Sequence, residues 1–214
     1  FTEFAEFLVT QPEFTWYLRC PNVHAEAFGF LPTYKNYDFR KRVTFNGFDN
    51  FHDVKILDFQ LPGDDPLGGI TAQVLTSLTN PSPFGLQLGT LNLDLYYKGL
   101  YLGPAAADGA INVTSGVNVV NLKARLLPQA GNQTALDMLG EVFTGYINGE
   151  SVPVQAKGVS TQLANGDTIG WLSNGIKALS VNVPLKSPEP IDPIKGITID
   201  YLSLVFDQQQ PWAP

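Results

Sequence analysis

Apolar and polar residues alternate with a period of two along most of this chain. Leu91, Leu93, Leu95 and Tyr97 alternate with Asn92, Asp94 and Tyr96, and Val120, Leu122, Ala124 and Leu126 alternate with Asn121, Lys123 and Arg125. A strand turns successive side chains to opposite faces, so each segment reads as a half-buried β-strand. The same period runs through Phe14, Trp16 and Leu18, through Val152, Val154 and Ala156, and through Leu179, Val181, Val183 and Leu185. Lys98 and Gly99 sit between two such runs, where glycine relieves the steric cost of a positive φ, so Leu91 to Leu102 is predicted to be a hairpin. Helical spacing is confined to two stretches. Ala135 to Ile147 places Leu136, Leu139, Phe143 and Ile147 at i, i+3, i+7 and i+11, and Trp171 to Ala178 supplies two more turns. Both helices are expected to cap the open end of a sandwich. Pro62-Gly63-Asp64-Asp65-Pro66 breaks one strand from the next, and the prolines at 188, 190 and 193 make a stiff, extended connector.

Two parts of the chain echo each other. Val54, Ile56, Phe59 and Leu61 align at an offset of 143 with Ile197, Ile199, Leu202 and Leu204, and the phase slip inside the pattern predicts a β-bulge. Phe4, Leu8, Val9, Phe14, Trp16, Leu18 and Arg19 lie at an offset of 138 from Val142, Tyr146, Ile147, Val152, Val154, Ala156 and Lys157. Together the offsets imply a unit of about 140 residues. On this reading residues 1–50 are the tail of a preceding repeat plus a connector, 51–186 form one sandwich, and 187–214 hold a proline-rich linker and the first strand of a next repeat. The strand Ile197, Ile199, Leu202, Leu204, Phe206 would then need a partner, because a lone strand leaves its N–H and C=O groups unmatched.

Composition narrows the class. The 214 residues hold 44% hydrophobic and only 15% charged side chains, too apolar for disorder, and 25 aromatics give ample core material. Gly and Pro together number 36, spread between short apolar runs, which favours strands and turns over long helices. The formal charge of −7 argues against nucleic acid as a partner. One cysteine excludes an internal disulfide, and no apolar run reaches the ~20 residues of a membrane helix, so the chain is expected to be soluble. It begins at Phe1 without Met, as a clipped or mature piece would, and any membrane attachment would have to come from a segment outside it.

The middle of the chain reads Leu78-Thr79-Asn80-Pro81-Ser82-Pro83-Phe84-Gly85, then Leu93-Asp94-Leu95-Tyr96-Tyr97-Lys98-Gly99. From about Val54 to Ser160 this resembles the water-stress and late-embryogenesis-abundant type 2 domain. The wider pattern, with Tyr146-Ile147-Asn148-Gly149-Glu150, Val154-Gln155-Ala156-Lys157-Gly158-Val159 and Trp171-Leu172-Ser173, is similar to a fungal family of unknown function. In that family such domains recur in the ectodomains of membrane-anchored vacuolar or cell-surface proteins. The resemblance implies an immunoglobulin-like or fibronectin-like β-sandwich and no catalytic residues. Physical chemistry gives the turn an architectural role of its own: Asn80 and Ser82 can bond local backbone, Pro81 and Pro83 pre-set φ, Phe84 can plug the sandwich end, and Gly85 permits backbone closed to other residues.

Catalytic constellations are missing from the sequence. His24 and His52 form no H-x-x-H pair, there is no nucleophile elbow or phosphate loop, and Gly68-Gly69 leads into a strand. Cys20 at a strand end reads as an inert thiol, and Asp64, Asp65 and Asp108 as solvated turn acids, so no metal or cofactor is expected. Two sequons, Asn112-Val113-Thr114 and Asn132-Gln133-Thr134, lie beside turn residues and are candidate glycosylation sites. They favour an extracellular, cell-surface or vacuolar-lumenal setting. The expected function is a non-enzymatic structural or interaction module that self-associates or contacts neighbouring repeats, assembling head to tail by strand exchange into rods or filaments. The alternative is a sandwich that holds lipid or another apolar ligand between its sheets or under the 136–147 helix. A carbohydrate site using Trp16, Trp171 and Trp212 ranks last.

Overall fold

The computed structural model describes residues 2–25, 34–51 and 53–187. The order of elements is α1 (Thr2–Thr10), β1 (Glu13–Ala25), β2 (Tyr34–Asn46), a short 3₁₀ turn (Asp49–Phe51), β3 (Lys55–Asp64), β4 (Ile70–Asn80), β5 (Leu86–Tyr97), β6 (Leu100–Ala107), β7 (Ile111–Val113), β8 (Gly116–Leu126), α2 (Gln133–Ile147), β9 (Val152–Gln162), α3 (Gly170–Lys177) and β10 (Ser180–Leu185). The fold is an all-β sandwich with short helices. Its eight-stranded antiparallel sheet runs β10-β9-β5-β6-β8-β4-β3, with β7 beside β5, and it curls until its two edges, β3 and β10, lie near one another.

The alternating runs become strands because one face of each is buried. Leu91, Leu93 and Tyr97 of β5, Val120, Ala124 and Leu126 of β8, and Val152, Val154 and Ala156 of β9 all enter one core. Lys98 and Gly99 adopt φ of 47° and 84°, and two consecutive positive values make the primed turn that suits the right-handed twist of a hairpin. β3 carries a register shift between Ile56 and Asp58, where the apolar phase slips.

The helices clamp the sandwich. α2 starts at Asn132, whose side-chain oxygen accepts from the Ala135 amide at 3.2 Å as an N-cap. Its inner face carries Ala135, Val142 and Gly145, with Leu139, Phe143 and Tyr146 against the core, whereas Leu136, predicted to lie on that face, points to solvent. Ala135, Leu139, Val142 and Tyr146 define the buried stripe, and Leu136, about 100° round the helix from Ala135, falls at its edge. α3 is pinned to β9 by buried bonds: the Thr161 amide donates to Ser173 Oγ at 2.9 Å, and that hydroxyl lies 3.2 Å from the Thr161 carbonyl.

Leu8, Val9, Phe14 and Phe48 of the N-terminal segment share this core. Ala5, Leu8 and Val9 of α1 are buried, and α1 lies so close to α3 that a Cβ at Gly175 would come within 2.7 Å of the Ala5 carbonyl carbon. β1 and β2 form a separate two-stranded ribbon, an arm whose base is buried and whose outer part is exposed. Residues 34–46 were expected to be connector, so β2 is an addition to the predicted strands.

Candidate functional site

Three regions carry the chemistry: the arm with its socket, the two sheet edges, and the interior beneath α2. The socket is the Asn80 turn. Asn80 is almost fully buried, and its amide donates to the Phe84 carbonyl at 2.8 Å and the Thr114 carbonyl at 3.2 Å. Its side-chain oxygen accepts from the Ser82 amide at 2.9 Å, and Ser82 Oγ accepts from the Phe84 amide at 3.2 Å. Pro81 offers its carbonyl to Asn46 Nδ2 at 3.3 Å, Pro83 sits between the two bonded residues, and Gly85 passes close to the Val113 carbonyl. The turn presents Phe84 to the arm, not to the sandwich interior alone: its ring lies 5.0 Å from Phe45, 5.5 Å from Trp16 and 5.8 Å from Phe14. Aromatic pairs at such separations add about 0.5–1.5 kcal/mol each beyond area burial.

The arm is amphipathic by register. One face carries Phe14, Trp16, Leu18 and Cys20 opposite Phe45, Val43, Lys41 and Phe39. The other carries Thr15, Tyr17 and Arg19 opposite Thr44, Arg42 and Arg40. On that polar face Arg19 and Arg40 both donate to Asp38, at 3.2 and 2.6 Å, and the two guanidiniums, Arg40 first, hold its carboxyl below the usual carboxylate range. Phe14 is buried at the base, but beyond Phe84 nothing among the described residues covers the apolar face: Leu18 is 47% and Phe39 41% exposed. Five of the thirteen basic residues and three of the twenty acidic ones fall within 13–46, so the arm has a formal charge of +2 and the remainder −9. The alternation Phe39, Lys41, Val43, Phe45 was the signal for β2, masked by the run Arg40-Lys41-Arg42.

The sheet edges are blunted. β3 carries two register shifts, Lys55, Asp58 and Pro62, and β10 has six residues with Pro184 among them. Bulges, charges and prolines all discourage a further strand from pairing. At the seam between the edges the Tyr146 hydroxyl donates to the Phe59 carbonyl at 3.4 Å and its ring meets Phe59 edge-on at 4.9 Å. Burial raises the Tyr146 pKa. On the far side of α2, Lys98 Nζ sits 2.6 Å from Glu141, so their pKa values move apart, Lys98 upward and Glu141 downward.

Under α2 the interior is incompletely filled. Ala72, Ala124 and Ala105 lie side by side on β4, β8 and β6, and Ala156 lines the same space from β9. Three small side chains abreast, with Ala156 two residues further along β9, leave an apolar cavity of about 80 Å³, walled on the other side by Leu139, Val142, Phe143 and Tyr146. A second apolar cavity of about 70 Å³ shares Thr76, Leu122, Ala156 and Val183 with it. Empty space of each size costs roughly 2 kcal/mol of stability.

The remaining sequence candidates stay apart. Asn112 is exposed on β7, and Asn132 is exposed at the α2 cap, on separate elements. Cys20 is a free, exposed thiol on the arm. Asp65 accepts from the Leu67 amide and Asp108 pairs with Lys123, and among the described residues no group of three or more His, Cys, Asp or Glu could hold a metal. The strand Ile197 to Phe206, Trp212 and the side chains of His24 and His52 lie outside the described residues. Among the described residues no helix is long and apolar enough to cross a membrane.

An antiparallel sandwich of this kind is the class the chain defines, and comparison adds a little more. Residues 1–95 match a family described as "Protein of unknown function (DUF3712)". No curated protein matches the chain. Among solved structures the chain is similar to the solution structure of a protein assigned as a late embryogenesis abundant (LEA) protein, with 10% identity over 63% of this chain and 68% of that one and a TM-score of 0.28.

Proposed function

We propose that this chain is a non-enzymatic structural and interaction module, one of a tandem array in a fungal cell-surface or vacuolar-lumenal protein, that self-associates through the apolar face of its arm. The observation that carries the reading is the exposed apolar pair Leu18 and Phe39, beside half-covered Trp16 and Val43, on a ribbon anchored at its base. A two-stranded ribbon is marginal in water by itself, so an uncovered apolar face on one is a contact surface in waiting. A second copy suits it: the +2 arm meets a body of −9. The blunted edges of β3 and β10 move the expected contact away from simple edge addition, and the exposed sequons at Asn112 and Asn132 fit an extracytoplasmic surface.

Sedimentation velocity tests it. The chain should show species heavier than 23.4 kDa that grow with concentration and weaken with salt. Leu18→Glu with Phe39→Glu should return it to monomer without lowering its melting temperature, since both positions are exposed. Truncation after Pro193 separates the arm from the strand Ile197 to Phe206: assembly that survives the arm variant and vanishes on truncation would assign exchange to that strand. A monodisperse monomer at every concentration would end both versions.

A further inference from the structure

We infer that the interior beneath α2 is a binding site for a single unbranched acyl chain bearing a carboxylate, with α2 as its lid. This inference is independent of the arm.

Its basis is the alignment of small residues. Ala72, Ala124 and Ala105 are neighbours across three strands, each fully or nearly buried, and Ala156 faces the same void from β9. A sheet interior closes tightly when large side chains from one wall interdigitate with the other; here a band of methyl groups faces Phe143 and Leu139 of α2 and does not meet them. The void has no polar lining, and a dry apolar cavity takes up apolar molecules in place of water. The adjoining cavity, which shares Leu122 and Val183, lies next to it, and a thin flexible chain can occupy two small adjacent voids that a fused ring cannot.

The cavity comes nearest to solvent at the seam, where Phe59 and Tyr146 close it ring to ring at 4.9 Å. Ile56, Phe59 and Tyr146 line the cavity on their inner side and an open groove of about 440 Å³ on their outer side. The groove also holds Lys55 and Lys186, one on each side of the seam. Lys55 is 3.3 Å from Asp53, and Asp58 lies in the same groove, so the mouth is not uniformly positive. Lys186 is the cation placed for a carboxylate whose chain enters once α2 moves outward and parts Tyr146 from Phe59. The lid can yield. α2 approaches the sheet backbone chiefly at β6 and β9, and its exposed latch is the Lys98–Glu141 pair. Outward movement of α2 would enlarge a void that holds only a short stretch of chain as it stands.

The test uses cis-parinaric acid, whose fluorescence rises on apolar burial, titrated into the whole chain, with palmitate, palmityl alcohol and phosphatidylcholine vesicles as competitors. Saturable binding near one equivalent, displaced by palmitate at least tenfold better than by the alcohol and not by vesicles, is expected. Ala124→Leu should fill the void, weakening binding at least tenfold while the melting temperature holds or rises. Should that variant fold poorly, Ala105→Val makes the same test with less bulk. Lys186→Gln should weaken palmitate several-fold and leave the alcohol unchanged. Binding that is not saturable, or that survives both filling variants, overturns the site. Equal displacement by palmitate and the alcohol overturns the carboxylate assignment, and displacement by vesicles assigns the probe to a lipid surface and overturns the cavity. The Leu18→Glu, Phe39→Glu chain should bind as the parent does, so failure of self-association leaves this result intact.

Discussion

The arm and the sandwich are both antiparallel β-structure built from alternating sequence, and they handle the same liability in opposite ways. The sandwich curls, buries one face of each of its longer strands, and guards its two edges with bulges, charges and prolines. The arm has two strands, one face on Arg19, Arg40 and Asp38, and another with no cover past Phe84. Alternation alone therefore makes a strand but does not say what lies against it. Cover comes from the number of neighbours in the sheet and from what the turns hold up to meet it.

Removing the joint between the two regions should have the largest effect. Phe14→Ala deletes a buried ring that touches Phe4, Phe45 and Phe84, and should cost about 3–5 kcal/mol, read as a lowered urea midpoint with early loss of arm amide protection. Simultaneous, undiminished protection of arm and sandwich would show that the arm is held by something else. Asn80→Ala comes next, at about 2–4 kcal/mol, because it strips partners from the buried Ser82 amide and from two partly buried carbonyls. If only the arm loosened and β4 to β8 kept their stability, the turn would belong to the arm alone. Gly175→Val should cost about 1–3 kcal/mol by pushing α1 off α3, with proteolysis then cutting near residue 10 before the sandwich is touched.

The smallest effect is acid. Asp38 and Glu141 both have folded pKa values below their unfolded ones, near 4, so the stabilisation each adds is present above that value and is lost as pH falls through the lower folded one. Both groups are exposed, and their pairs are screened by salt. Protection factors, corrected for intrinsic exchange, should fall at pH 3 in the distal arm and in α2 while β4 and β8 keep theirs. A uniform fall in protection would place the acid response elsewhere.

Much of the sandwich was legible because its signals are local. The Lys98-Gly99 turn, the strands around Leu93, Leu122 and Val154, the α2 and α3 helices and the slip in β3 each depend on neighbours a few residues away. Leu136 was misplaced because one residue turns a helix by about 100°, which carries it from beside buried Ala135 to the edge of the stripe, and β2 was hidden by three consecutive cations on a strand with one wet face. The alanine band was invisible for a different reason. Ala72, Ala105, Ala124 and Ala156 each look like an ordinary small residue in a strand, and only the register of β4, β8 and β6 brings three of them abreast. Phe84 was seen as a plug, but its meeting with Phe45 and Trp16 required β2.

The order in which β5 acquires its neighbours has a kinetic consequence. It can pair with β6 as soon as the two-residue turn closes, but its other flank waits for β9, whose Ala156 meets Leu95 only after some sixty intervening residues have been made. Long loops close slowly relative to hairpins, so the nascent chain passes through a stage in which the sheet β5-β6-β8-β4-β3 stands with the outer flank of β5 bare. Arrival of β9 behind α2 ends that interval, and the rate of their docking sets how long an unpaired strand edge is open to other chains.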